Sequence, residues 1–276
     1  MQKIKFIIIS LIFTALSSAA IAGDWSKIRI GTEGAYAPWN FTDSAGNIVG
    51  AEIDLANDLC KRMNAECEIV QQDWDGIIPA LTNGKYDAIM AGMSITEERM
   101  QTISFSTAYF TEPARLATLN DSPLSTFDAG KSLDLGQDND VTKGTLNAMS
   151  SALSGFKLGV TVATIHENFA NAYLNVDLKV YQTQDEMNLD LTAGRIDAML
   201  CDVGTTESLM ETPSGANVAL VGPNIFGGLL GAGVGAGIRQ GDADLKAMFD
   251  KAISESIADG TAGKIATKWF GKDITP

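Results

Sequence analysis

Arg99 stands in the run Thr96-Glu97-Glu98-Arg99, where Thr96 can cap a helix and two acids suit its positive end. A cation in that same first turn is electrostatically misplaced and needs an anionic partner. A ligand carboxylate gripped by the planar guanidinium would supply one; a surface salt bridge to Glu98 is the alternative. Ser94, just beyond a strand end, can add a hydroxyl. Asp202 closes a second apolar strand, where its carboxylate suits an ammonium group across from Gly92, or else caps the following helix. Thr164 follows strand Leu158–Val162, so its hydroxyl and the nearby N–H groups form an anion site or an ordinary cap. Glu33, Tyr36 and Trp74 fall near strand ends. An acid flanked by two aromatics holds a guanidinium or ammonium by charge pairing and stacking, although any of the three could be structural.

Other chemistries find little support. His166 is the only histidine, so a Ser-His-Asp triad could be built only around it, and no G-x-S-x-G elbow is present. Its expected place is the surface of the helix that Thr164 opens, with cleft lining as the alternative. Neither a P-loop nor G-x-G-x-x-G occurs. Gly227–Gly237 reads as a bent strand. Cys60 and Cys67 flank a short turn and suit a disulfide in an oxidising compartment; a metal site is the alternative, disfavoured by the single histidine. Cys201, inside an apolar strand, reads as a buried thiol. No cofactor or catalytic residue is expected.

The elements that position these residues are legible from a repeat. Leu81-Thr82-Asn83-Gly84-Lys85-Tyr86-Asp87-Ala88 returns as Leu191-Thr192-Ala193-Gly194-Arg195-Ile196-Asp197-Ala198. Each copy reads as a helix end, a glycine stop, a basic residue and a short buried strand. The copies end differently, Gly92 in one and Asp202 in the other. Strand Lys27–Ile30, a helix with Ile53, Ala56, Leu59 and Met63 on one face, strand Cys67–Val70 and helix Trp74–Thr82 precede the first copy. This β-α-β-α-β order demands parallel pairing with right-handed crossovers. The rhythm resumes at Lys157 through helices Thr164–Tyr173 and Asp185–Thr192. Two α/β lobes follow, and chain crossings near 110–113 and 221–226 would make a hinge. The polar stretch at about 120–155, with a weak helical pattern near 146–153, is expected as a surface excursion.

Lys3 and Lys5, the apolar run from Phe6 to Phe13 and Ala20-Ile21-Ala22 have the form of a secretory signal peptide over residues 1–22. An N-terminal membrane anchor is the alternative. The net charge of −14 argues against nucleic acid and anionic membranes and mildly favours cationic small ligands, with solubility alone as the alternative.

Tyr36-Ala37-Pro38-Trp39, Glu52-Ile53-Asp54-Leu55-Ala56, Asp73-Trp74-Asp75-Gly76, Met93-Ser94-Ile95-Thr96 with Arg99, and Gly194-Arg195-Ile196-Asp197-Ala198 resemble the polar amino-acid periplasmic binding proteins of ABC importers. The likeness spans essentially the whole mature chain. It is greatest to the basic amino-acid and opine receptors. Thr32-Glu33-Gly34, Leu189-Asp190-Leu191-Thr192 and Lys268-Trp269-Phe270 point to the opine branch, and the Cys60–Cys67 pair resembles the disulfide of the lysine/arginine/ornithine receptors. The resemblance implies a type II two-lobed fold, with lobe 1 at 23–111 and 225–276 and lobe 2 at 112–224. It implies a periplasmic monomer that binds arginine, lysine, ornithine, octopine or nopaline and passes it to a membrane permease. Arg99 would clamp the carboxylate, helped by Ser94 and the Thr164 helix start. Asp202 and the Gly92 backbone would meet the amino group, and Glu33, Tyr36 and Trp74 the distal cation. Ala163-Thr164-Ile165 stands where Gly-Ser-Thr or Gly-Thr-Thr is usual. Asp202 resembles the free amino-acid receptors, whereas opine receptors can carry Asn there. Periplasmic cyclodehydratases resemble this fold too, and make an enzyme on carboxylated substrates the rival reading.

Overall fold

A computed structural model describes residues 23–276; the expected signal peptide lies outside the described residues. Two mixed sheets carry the chain. The first runs in the order Glu66–Gln71, Lys27–Thr32, Ala88–Ile89, Gly237–Arg239, Ile103–Phe105. The second runs Asp177–Tyr181, Lys157–Thr161, Ala198–Asp202, Ala114–Leu119, Val218–Phe226, Ser132–Asp134. In both, the first three strands are parallel and the middle one of the three comes first in the chain. Both also add an antiparallel strand beside the third. Their strands share one topology, as the repeat requires.

The repeated residues do the same work in each copy. Gly84 and Gly194 hold φ of 76° and 67°, a left-handed turn that glycine takes without a Cβ clash. The next residue then donates back to the helix, Lys85 N to Ala80 O at 3.0 Å and Arg195 N to Asp190 O at 2.8 Å. Asp87 and Asp197 each accept from a backbone N–H of the neighbouring strand, at Arg29 (3.0 Å) and Lys157 (2.7 Å). The aspartates that the two copies share are therefore strand pins.

Helix Ala51–Arg62 buries Leu55, Ala56, Leu59 and Cys60 on one side, with Glu52 and Asp54 in its first turn and Lys61 and Arg62 in its last. It ends where Asn64 turns left-handed at φ 53°, and Cys60 is bonded to Cys67 across that turn. Helices Ala243–Ala258 and Thr261–Phe270 pack on the same core through Leu245, Phe249, Ile253 and Ala266. A separate three-stranded ribbon, Ala35–Tyr36, Asn40–Thr42 and Ile48–Val49, hangs beside the first sheet. The chain passes between the sheets twice, and the passages pair where Val234 N donates to Phe110 O at 2.8 Å. Among the described residues no helix is long and apolar enough to cross a membrane.

Three expectations need correction. The 120–155 stretch is not simply a surface excursion. Ser132–Asp134 pairs with Asn224–Phe226, and Leu124, Leu133, Met149 and Leu153 enter the core beside Leu158 and Val160. Its apolar residues are isolated in sequence and meet only in space. The helix there runs Asp140–Ala152, longer than the pattern near 146–153 suggested. Gly227–Gly237 is not one bent strand. Positive φ at Gly227, Gly228, Gly231 and Gly233 breaks it into a short turn and isolated bridges before strand Gly237–Arg239 begins. A Cβ at Gly231 would lie 2.3 Å from the Ile95 carbonyl oxygen. Finally, Trp74–Thr82 opens as a 3-10 turn, Trp74–Gly76, before the α-helix Ile77–Thr82.

Candidate functional site

Glu33, Tyr36, Trp74, Gly92, Ser94, Arg99, Thr164 and Asp202 all line one cavity between the sheets. The cavity lies at the ends of the parallel strands, where open α/β sheets place their ligands.

Arg99 follows the cap set by Thr96, whose hydroxyl accepts from Arg99 N at 3.2 Å. Its guanidinium donates to Ser94 O at 3.0 Å and lies 5.2 Å above the Trp74 ring. Burial draws its pKa down to about 10, with Glu98 acting the other way, so it keeps its charge at neutral pH. Among the described residues no carboxylate forms an ion pair with it. Glu98, the alternative partner, instead accepts from Asn168 Nδ2 at 3.1 Å.

Asp202 caps helix Val203–Met210 by position, yet its side chain makes no capping bond. Oδ2 accepts from the Tyr36 hydroxyl at 2.6 Å, and His166 Nε2 stands 3.3 Å from Oδ1. Thr164 does cap its helix: its hydroxyl accepts from Glu167 N at 3.2 Å and donates to Thr161 O at 2.6 Å. Its proton is therefore spent, which leaves the first-turn N–H groups as the donors this end offers. Gly92, at φ 63°, gives its N–H to both oxygens of Glu52 at 2.8 Å each. A side chain there would press on the Tyr36 ring, 3.1 Å from the position of a Cβ.

Glu33 is buried, and that burial, followed by the charges of Asp185 and Asp73, pushes its pKa up to about 7. No cation among the described residues pairs with it. The expected aromatic bracket around it is only partly built. Trp74 faces Arg99 and donates through Nε1 to Ala163 O at 3.3 Å, while Tyr36 stacks on Trp39 and reaches Asp202.

His166 was expected on the surface; it is 5% exposed and lines the cavity. Ile165, His166, Phe169 and Ala170 are all buried, so both flanks of the first helical turn face protein. Glu52 lies in the first turn of helix Ala51–Arg62, where the helix dipole alone would account for an acid. It is fully buried, holding Asn40 Nδ2 at 2.8 Å, the Tyr109 hydroxyl and the Gly92 N–H. Gln184, also buried, is a further lining residue that no pattern singled out. Its position at the start of helix Gln184–Thr192 was the only available cue.

Ala163 has a left-handed φ of 54°, uncommon for a residue with a Cβ. Its carbonyl accepts from both Trp74 Nε1 and, at 3.4 Å, Arg99 Nη2. These contacts, with Tyr36–Asp202 and Glu98–Asn168, join the two sides of the cavity directly. The cavity so formed has an unpaired guanidinium at one place and carboxylates at Asp202 and Glu33. It can hold a molecule that carries one anionic and two cationic groups.

A family model described as bacterial extracellular solute-binding proteins, family 3, matches residues 28–272. The octopine-binding periplasmic protein of Rhizobium meliloti is 38% identical, with 100% of both chains covered. The lysine/arginine/ornithine-binding periplasmic protein of Escherichia coli is 36% identical over 95% of this chain and 93% of that one. A solved periplasmic His/Glu/Gln/Arg/opine family-binding protein from Silicibacter pomeroyi, in complex with lysine, superposes with a TM-score of 0.73 at 32% identity. It covers 90% of this chain and 99% of that one. The match over nearly the whole described chain, on a fold with two sheets and a cavity between them, makes this chain a member of the bacterial extracellular solute-binding proteins, family 3.

Proposed function

We propose that the protein is a periplasmic receptor that closes on one cationic amino acid, or its opine derivative, and delivers it to an ABC importer without turning it over. Arg99 and the first-turn N–H groups after Thr164 take the carboxylate, with Ser94 beside them. Asp202 and the Gly92 carbonyl take the α-nitrogen. Glu33 takes the distal guanidinium or ammonium, with Tyr36 and Trp74 walling the cleft. Lobe 1 comprises 23–111 and 225–276, lobe 2 comprises 112–224, and residues 1–22 direct export. The sheet membership of the strands supports this division except at its second crossing, where Val218–Phe226 stays in the second sheet to its end, and the names of the relatives support the ligand class and compartment.

The observation that carries the reading is the charge pattern: Arg99 lacks an ionic partner, and Glu33 and Asp202 face the same cavity. Binding energy goes into closing the cleft, so a ligand that bridges both sides shifts the population to the closed form. Saturating ligand raises stability by RT ln(1 + [L]/Kd). A thermal-shift screen of arginine, lysine, ornithine, octopine and nopaline against glutamate tests it. Stabilisation by at least one cationic compound and none by glutamate supports the proposal; no shift, or a shift with glutamate alone, refutes it. Incubation with prephenate or arogenate tests the absence of turnover, and an aromatic product would refute it.

A further inference from the structure

We infer that the distal end of this cleft is open, so that the receptor takes cationic amino acids whose side-chain nitrogen carries a further neutral or cationic arm and refuses those whose arm is anionic. The inference rests on the functional reading above and widens its ligand class at the end away from Asp202.

The cleft does not stop at Glu33. Glu33 and Trp74 line it and also line a second hollow, walled further by Gln71, Asp73, Asp75, Gln182 and Thr183. Gln71 ends strand Glu66–Gln71 of the first sheet, and Gln182 and Thr183 follow strand Asp177–Tyr181 of the second. The hollow therefore also lies between the two sheets. Asp73, Asp75 and Gln182 are exposed, which makes it an outer mouth of the same cleft. A cation bound at Glu33 has this passage beyond it rather than a wall.

The charges around the mouth have one sign. Glu33 is 8% exposed; Gln71 Nε2 donates to its backbone carbonyl at 3.2 Å, and its carboxylate has no partner among the described residues. Asp73 stands at the start of the turn Trp74–Gly76 without a capping bond, and Asp75 follows it. Asp185 comes from the first turn of helix Gln184–Thr192, and its charge reaches Glu33 together with that of Asp73. None of these three aspartates forms an ion pair among the described residues. The basic groups nearby are engaged elsewhere. Lys85 Nζ donates to Gln72 Oε1 at 2.8 Å, and Arg99 lies over the Trp74 ring and donates to Ser94 O. His166 stands 3.3 Å from Asp202 and lines the cleft but not the hollow.

One ligand cation satisfies Glu33 and leaves the three aspartates facing the mouth. A second cation on an arm would lie among them, whereas a carboxylate there would add a further negative charge to an acidic rim. The rim is exposed, so each of its charges acts modestly and is screened by salt. Glu33 then holds the guanidinium, and the rim selects what may follow it.

The test measures affinities on the mature protein by calorimetry at low salt. The ligands are L-arginine, L-lysine and three arginines carrying a propyl, a 2-aminoethyl or a 2-carboxyethyl arm on Nω. The propyl compound should bind within about tenfold of L-arginine. The aminoethyl compound should bind at least about tenfold more tightly than the carboxyethyl one, a gap that should narrow at least about threefold in roughly 0.5 M sodium chloride. Asp73→Asn combined with Asp75→Asn should narrow it by a similar factor, and should that variant fail to fold, the salt series decides alone. A propyl loss above tenfold, an arm gap below tenfold, or a gap that neither salt nor the variant alters overturns the inference. Binding of L-arginine or L-lysine in any of those cases leaves the receptor reading standing. Silence from all five compounds overturns both.

Discussion

Glu33 makes the binding of a cationic ligand depend on pH in the neutral range. Buried, and facing Asp185 and Asp73, its carboxyl titrates at about 7 in the unliganded protein. Below that value the group is mostly protonated and neutral, so a guanidinium arriving beside it must first expel the proton. Above it the charge is already present. A cation in contact pulls a carboxyl pKa down by roughly 1–3 units, so in the complex Glu33 should stay ionised through the neutral range. The affinity then scales with the ionised fraction in the free protein. That fraction is about one in eleven at one unit below the pKa and near unity one unit above it. Between pH 6 and pH 8 the Kd for arginine should therefore tighten by about tenfold, or about 1.4 kcal/mol. Calorimetry at four or five pH values in buffers of different ionisation enthalpy would show both the trend and the proton released. The control is Glu33→Gln, which should bind arginine more weakly and lose the slope, isolating Glu33 from Glu112, which titrates in the same range. A flat wild-type profile, or an unchanged slope in the variant, refutes the assignment of Glu33 as the distal contact.

Arg99→Ala removes the guanidinium that lines the cleft and should weaken binding by about a hundredfold or more, since truncating one partner of a buried charge pair costs roughly 2–5 kcal/mol. Calorimetry on a variant whose circular dichroism is unchanged checks it, and retained tight binding would remove the carboxylate clamp. Ala163→Gly relieves a left-handed residue; a gain of about 1 kcal/mol, read as ~2–4 °C in Tm, is expected, whereas a lower Tm would show that the turn is unstrained. The unliganded protein should lose stability as pH rises from about 5 to 7. Glu112, raised from 4.5 to about 7 on folding, keeps its proton in the folded state while the unfolded chain gives it up. Its contribution falls through that window by about 3 kcal/mol and levels off above it. Glu112→Gln should lessen that limb of a Tm-against-pH curve without removing it, because Glu33 is raised over the same range, and an unaltered limb would count against the shift.

The repeat was legible because its residues act locally. A left-handed glycine and a strand-pinning aspartate leave the same signature wherever a helix feeds a parallel strand, and Asp87 and Asp197 do the same job in both copies. Arg99 was legible for the opposite reason, being a cation that its own helix cannot satisfy. The stretch at 120–155 hid its share of the core because Leu124, Leu133, Met149 and Leu153 are single apolar residues in a polar run, joined only by the fold. His166 was misplaced because a helix lying on a cleft is buried on more than its core face. Glu52 was hidden by chemistry: an acid at a helix start already has a sufficient local explanation in the dipole. Its bonds to Asn40, Tyr109 and Gly92 join residues far apart in the chain. Gly92 and Asp202, where the two copies diverge, remain the most informative pair. The first has its N–H tied to Glu52 and leaves room beside Tyr36; the second offers a carboxylate to the cavity.

The most direct measurement compares L-arginine with the two molecules that each lack one of its poles, agmatine without the carboxylate and 5-guanidinovalerate without the α-amino group, by calorimetry on the mature protein. If Arg99 holds the carboxylate while Asp202 holds the ammonium, L-arginine binds and each truncated compound loses at least about a hundredfold in affinity, since each leaves a buried charge without its partner. Agmatine or guanidinovalerate binding within tenfold of arginine would contradict it, because the pole that was removed would then have had no partner in the cleft.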